Sequence, residues 1–135
     1  MKNQHAFNRA VADVLANLLD EFPNEVRLLD LNKAYPDADA DTIQLYASTI
    51  EFLAREGFIT ARRVSSNAPL YGNMGLTLRG LTVLNAVPES VTDKETWGDK
   101  VKAAAKFGGK ETVSAVIPQL LSFAARTALG LPPSP

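Results

Sequence analysis

The sequence predicts a mainly α chain with one small β-hairpin, an α+β class, followed by a helical C-terminal extension. Three observations carry this. The chain opens on apolar residues recurring every three or four positions, and the same pattern returns from Thr42 and stops at Gly57. Residues 58–76 then hold two strand-like runs around the turn-formers Ser65-Ser66-Asn67-Ala68-Pro69. Residues 110–129 form a last apolar, helix-like stretch.

Taken in order, Phe7, Val11, Val14, Leu15, Leu18 and Leu19 make an amphipathic helix with Arg9, Asp13, Asn17 and Asp20 between them. Pro23 ends it, because proline has no N–H to donate and disfavours helical geometry in the residue before it. Residues 26–31 read as a short strand entering a brief helix, with Asp30 as N-cap and Leu29, Leu31 and Ala34 facing inward. The run Tyr35-Pro36-Asp37-Ala38-Asp39-Ala40-Asp41 is a turn that delivers a helix start, with Asp39 or Asp41 accepting from a free backbone amide. Alternating aspartates also resemble calcium ligands, but the turn glycine and distal glutamate of an EF-hand loop are missing. The next helix puts Ile43, Ala47, Ile50, Leu53 and Ala54 on one face, and Gly57 stops it. A two-stranded hairpin follows, and Thr77 caps a helix whose Leu78, Leu81, Leu84 and Val87 are expected to pack inward.

Residues 1–90 are expected to form one domain and residues 91–135 a helical extension. The extension becomes helical over 93–107, breaks at Gly108-Gly109 and resumes from Lys110 with Pro118 inside. Gly130-Leu131-Pro132-Pro133-Ser134-Pro135 is expected to be a disordered, proline-rich end.

With 135 residues and 46% apolar content, the chain has material for a single core. The absence of cysteine removes disulfides, thiolate nucleophiles and cysteine-based zinc sites, and fits a reducing cytoplasm. The first residues lack the continuous apolar run of a secretory signal, so the expected location is cytoplasmic. The formal charge of −1 is uneven: residues 1–90 hold 8 Lys/Arg against 11 Asp/Glu, or −3, and residues 91–135 hold 6 against 4, or +2.

Two segments carry a resemblance. Leu53-Ala54-Arg55-Glu56-Gly57-Phe58-Ile59 resembles the "leucine, two residues, glutamate, glycine, aromatic, isoleucine" segment before the wing of bacterial regulator-type winged helix-turn-helix domains. Leu76-Thr77-Leu78-Arg79-Gly80 resembles the "leucine, threonine, two residues, glycine" start of the helix after the wing. The likeness covers residues 4–88. It implies a winged-helix domain, a DNA-binding transcriptional regulator acting as a dimer or higher oligomer, and double-stranded DNA as partner. It specifies ligand poorly, because one fold hosts unrelated functions.

On that reading the helix from Thr42 is the recognition helix. Thr42, Gln44, Leu45, Ser48 and Thr49 would meet the major groove, Gln44 pairing with adenine. Arg62 and Arg63 on the hairpin, with Asn67 at its tip, would meet phosphates. Asp41 and Glu51 oppose a polyanion, and the domain is acidic. The alternative is a non-catalytic protein-interaction module on the same scaffold. A continuous basic surface around Arg62, Arg63 and Arg79 favours DNA, and its interruption by Asp41 and Glu51 favours protein docking.

In the extension, Val113, Ile117, Leu120, Ala124 and Ala128 are expected to bury against a second chain and form a homo-oligomer. The alternatives are a helix covering the domain's own apolar surface, or one docking a protein partner or a membrane surface; Pro118, Gln119 and Arg126 argue against a span. No catalytic constellation, metal site or cofactor motif is found. His5 is the sole histidine and reads as a surface residue. Gly72, Gly75 and Gly80 lack the spacing of a phosphate-binding loop, and Trp97 reads as a pin holding the linker to the core.

Overall fold

A computed structural model describes residues 2–88 and 95–128. Helix α1 (Lys2–Glu21) is followed by β1 (Val26–Asp30), α2 (Leu31–Ala34), α3 (Ala40–Arg55), β2 (Ile59–Arg63), β3 (Leu70–Leu76), α4 (Leu78–Asn85), α5 (Trp97–Phe107) and α6 (Lys110–Ala128). The expected α+β class is met: the described chain is mainly helical with a small antiparallel sheet. The hairpin gains a third strand, since β1 pairs with β3 to give the order β1-β3-β2. Val26 lies opposite Met74 and Leu29 opposite Tyr71, and all four side chains join the apolar cluster. The proline-rich end and residues 92 and 93 lie outside the described residues.

The helix ends show local chemistry at work. Asp39, not Asp41, caps α3 by accepting from the Thr42 amide at 2.8 Å, which lowers its carboxyl pKa. Gly57 has φ of +86°, the left-handed geometry that turns the chain out of α3. Thr77 caps α4 by accepting from Gly80 N–H, and its hydroxyl lies 2.6 Å from the Gly57 carbonyl and 3.0 Å from that of Phe58. That anchor sets the helix phase and corrects the sequence expectation. Gly80, Val83 and Leu84 face inward, whereas Leu78 is 81% and Val87 43% exposed. Ala34 is likewise exposed, because α2 is a single turn that buries only Leu31. Helix α5 starts at Trp97 behind a Thr96–Asp99 capping box, later than expected.

Helix α1 is the organiser, packing against α3, α5 and α6. Its Val11, Val14, Leu15 and Leu18 join Ile50, Leu53, Val101, Val113 and Ile117 in one apolar cluster, so the extension shares the core of the preceding segment. A polar tie reinforces this. The Arg9 guanidinium donates to the carbonyls of Ala104, Ala105 and Gly108 at the C-terminal end of α5, where intrahelical donors run out.

Candidate functional site

The outer face of α3 and the β2–β3 hairpin hold the side chains expected to touch a partner. Gln44 and Ser48 are exposed one turn apart, and the Gln44 amide donates to the Ser48 hydroxyl at 3.2 Å. Thr42 is half-buried beside the Asp39 cap, and Leu45 is half-buried too. Thr49 is a correction: it is 1% exposed and its hydroxyl donates to the Leu45 carbonyl at 2.8 Å. It shares the inward face with Tyr46, Ile50 and Leu53, so it cannot reach a groove. Asn67 is exposed in the hairpin loop, as Arg62 is on β2.

Arg63 and Arg79 are exposed cations in the sequence reading and structural ties in the fold. Arg63 lies 2.9 Å from the Glu51 carboxylate and 3.2 Å from the Tyr71 hydroxyl, and it donates to the carbonyls of Ser65 and Ala68. Tyr71 donates to Glu51 at 2.6 Å. The Tyr71 hydroxyl and then the Arg63 guanidinium hold the Glu51 carboxyl below its ordinary range, while burial followed by the hydrogen bond to Glu51 pushes Tyr71 upward. Arg79 lies over the Phe58 ring at 4.4 Å and donates to the Glu56 carbonyl. The field is therefore broken. From Ala40 to Glu56 the segment carries Asp41, Glu51 and Glu56 against Arg55 alone.

No family model, curated protein or solved structure matches the chain. What the face can do thus rests on its own chemistry: exposed amide and hydroxyl donors, carboxylates, and one hairpin arginine, Arg62, with no acidic partner among the described residues.

The side chains expected to pair two chains are already covered within one. Val113, Ile117, Leu120 and Ala124 are at most 2% exposed against the chain's own core, and the side chain of Ala128 lies outside the described residues. The covering-helix alternative describes their place, because α1 and α5 present the complementary apolar face. Among the described residues no helix is long and apolar enough to cross a membrane, and no three His, Asp or Glu side chains gather as metal ligands. His5 is half-buried on α1, with its Nδ1 buried and unpartnered, rather than a free surface residue. Trp97 is 5% exposed and packs near Phe123.

The sequence reading missed a second polar cluster. Tyr46 donates to Asp13 at 2.5 Å, Asp13 lies 3.5 Å from Arg9, and the Tyr35 ring packs on Tyr46 with centroids 4.6 Å apart. Only the i,i+4 spacing of Arg9 and Asp13 was visible beforehand. Their link to α3 spans 33 residues of chain.

Proposed function

We propose that this chain is a winged-helix scaffold working as a non-catalytic protein-docking module, with the α3 and β2–β3 face as its partner surface. The order α1-β1-α2-α3-β2-β3-α4 supports the scaffold. One observation carries the choice of partner: Glu51 neutralises Arg63 at 2.9 Å, so the face meets a partner with carboxylates and polar groups instead of a basic patch. Non-specific DNA affinity comes from cations free to displace counterions, and this surface holds few. A protein partner bearing a basic segment fits Asp41 and Glu56 better.

DNA binding is the second reading, favoured by the exposed Gln44–Ser48 pair and by unpaired Arg62. The deciding experiment titrates fluorescent random-sequence duplex DNA across a salt series with wild type, Glu51→Gln and Arg62→Ala. Docking predicts no saturable binding by wild type at low salt and a salt-sensitive gain in Glu51→Gln, where Arg63 loses its counter-charge. A wild type that binds steeply with salt, weakens on Arg62→Ala and ignores Glu51→Gln would make the protein a DNA reader. For the docking arm, a photo-crosslinker at Ser48 should trap protein while one at Ser114 on α6 should not.

A further inference from the structure

Two adjoining cavities flank α1 away from the face just described, sharing Asn17, Asp20 and Tyr35 in their walls. The inner lobe, about 270 Å³, has an apolar floor of Val14, Leu18, Leu31 and Met74, with half-buried Val26 and Leu29 of β1 beside it. The outer lobe, about 530 Å³, lies between α1 and α5 and is polar, with Asp13, Asp20, Lys102 and Lys106 as its charged groups.

The charges of the outer lobe are not equally available. Asp13 is occupied by Arg9 and by the Tyr46 hydroxyl, and Asp20 by Lys102 at 2.9 Å. Lys106 lies over the Phe107 ring at 5.9 Å, and among the described residues it has no carboxylate partner. The Tyr35 hydroxyl and the Asn17 amide, at the junction of the lobes, make no side-chain hydrogen bond among the described residues. Burial pushes the Tyr35 phenol up to about 12, so it stays a donor at neutral pH. Asp20 and Glu21 line the inner lobe and Asp13 and Asp20 the outer one, but lysines line only the outer lobe, which places an anion's favourable end between α1 and α5.

We propose that this cleft binds a small carboxylic acid with an apolar tail, the tail in the inner lobe over Val14, Leu18 and Leu29 and the carboxylate in the outer lobe near Lys106, with Tyr35 and Asn17 as donors. The inner lobe sits just under the usual ~300–1,000 Å³ of small-molecule sites, so the occupant is modest in size. Tyr46 belongs to α3 and lines the inner lobe, so the occupant touches the back of that helix.

Octanoate is the probe, with octylamine and octanol as controls, measured by calorimetry and by amide shifts in ¹⁵N-labelled protein. Octanoate should bind saturably, one per chain, and shift the amides of Asn17, Leu29 and Tyr35. Lys106→Ala should weaken octanoate about fivefold, the scale of one exposed ion pair, and leave octanol unchanged. Leu29→Trp should fill the inner lobe and abolish binding of both. If that variant does not fold, the Lys106→Ala contrast still decides. Absence of saturable octanoate binding, tighter binding of octylamine, or equal octanoate affinity in Lys106→Ala would overturn the proposal.

Discussion

Replacing Arg9 with methionine tests whether α5 and α6 fold as one unit with the preceding segment. Methionine keeps an apolar stem on α1 but removes a guanidinium that donates at 3.3, 2.8 and 3.0 Å to the carbonyls of Ala104, Ala105 and Gly108. A hydrogen bond to a charged group contributes ~1.5–3 kcal/mol when well buried. The Arg9 side chain is 37% exposed, so water recovers part of each bond, and the 3.5 Å pairing with Asp13 adds little at that exposure. A net loss of about 2–3 kcal/mol follows, a fall of about 10 °C in Tm for a chain of this size. Urea unfolding would be followed by far-UV circular dichroism and by the fluorescence of Trp97, the sole tryptophan and the first residue of α5. Both signals should fall together in wild type and variant, because Val101, Val113 and Ile117 share a cluster with Val11 and Leu15. A loss below ~0.5 kcal/mol, or Trp97 unfolding ahead of the helical signal, would refute the shared core.

Gly80→Ala should destabilise by about 2 kcal/mol despite a helix-propensity gain of about 1, because its Cβ would stand 2.2 Å from the Phe58 carbonyl oxygen. Thr77 holds that carbonyl from two sides, at 3.1 Å through its N–H and 3.0 Å through its hydroxyl, and a variant as stable as wild type in urea would contradict this packing. Leu120→Asp should unfold the protein, at a loss of roughly 3–5 kcal/mol for an unpaired buried charge, since Leu120 is 2% exposed within the chain. A folded variant of lower mass by light scattering would restore the second-chain reading of α6. Glu51, lowered by Tyr71 and Arg63, stabilises the fold above the ordinary carboxylate value of 4.5 and loses that effect as pH falls through its depressed folded value. The stability gap between wild type and Glu51→Gln, under about 1 kcal/mol for so exposed a pair, should close on acidification, and a gap that persists counts against the ion pair.

Legibility in the sequence followed the range of the interaction. The apolar stripes of α1 and α3, the Gly57 stop and the Thr77 cap are set by neighbours within four residues and the hairpin is marked by its turn-formers, and all stand in the fold. The phase of α4 was not legible, because contacts of Thr77 and Gly80 with Gly57 and Phe58 select it, about 20 positions back in the chain. Leu78 accordingly turns outward although its spacing to Leu81 suits an inner face. Thr49 looked available as a polar residue, yet a threonine that back-bonds to the carbonyl four residues earlier can sit inside. The candidate face was half legible. Gln44, Ser48, Arg62 and Asn67 are exposed as their polarity suggests, while the fate of Arg63 depended on a register that places it opposite Tyr71.

The arginines share a physical logic that bears on function. Arg9 closes the end of α5, Arg63 binds the Ser65 and Ala68 carbonyls of the hairpin loop, and Arg79 donates to the Glu56 carbonyl just past α3. Each stands where the chain leaves regular structure and backbone donors grow scarce, the Ala104 and Ala68 carbonyls also accepting from the Gly108 and Leu70 N–H groups. A guanidinium suits that task because its donors lie in a fixed planar fork, which a lysine cannot reproduce. A cation so engaged is poorly placed to release counterions from a phosphate backbone, whatever its contribution to the formal charge. Arg63 also faces Glu51, so its charge is offset as well as its donors engaged. The basic count of the segment therefore overstates the basic field of its surface, and that difference is what favours a protein over a polyanion as the partner of α3.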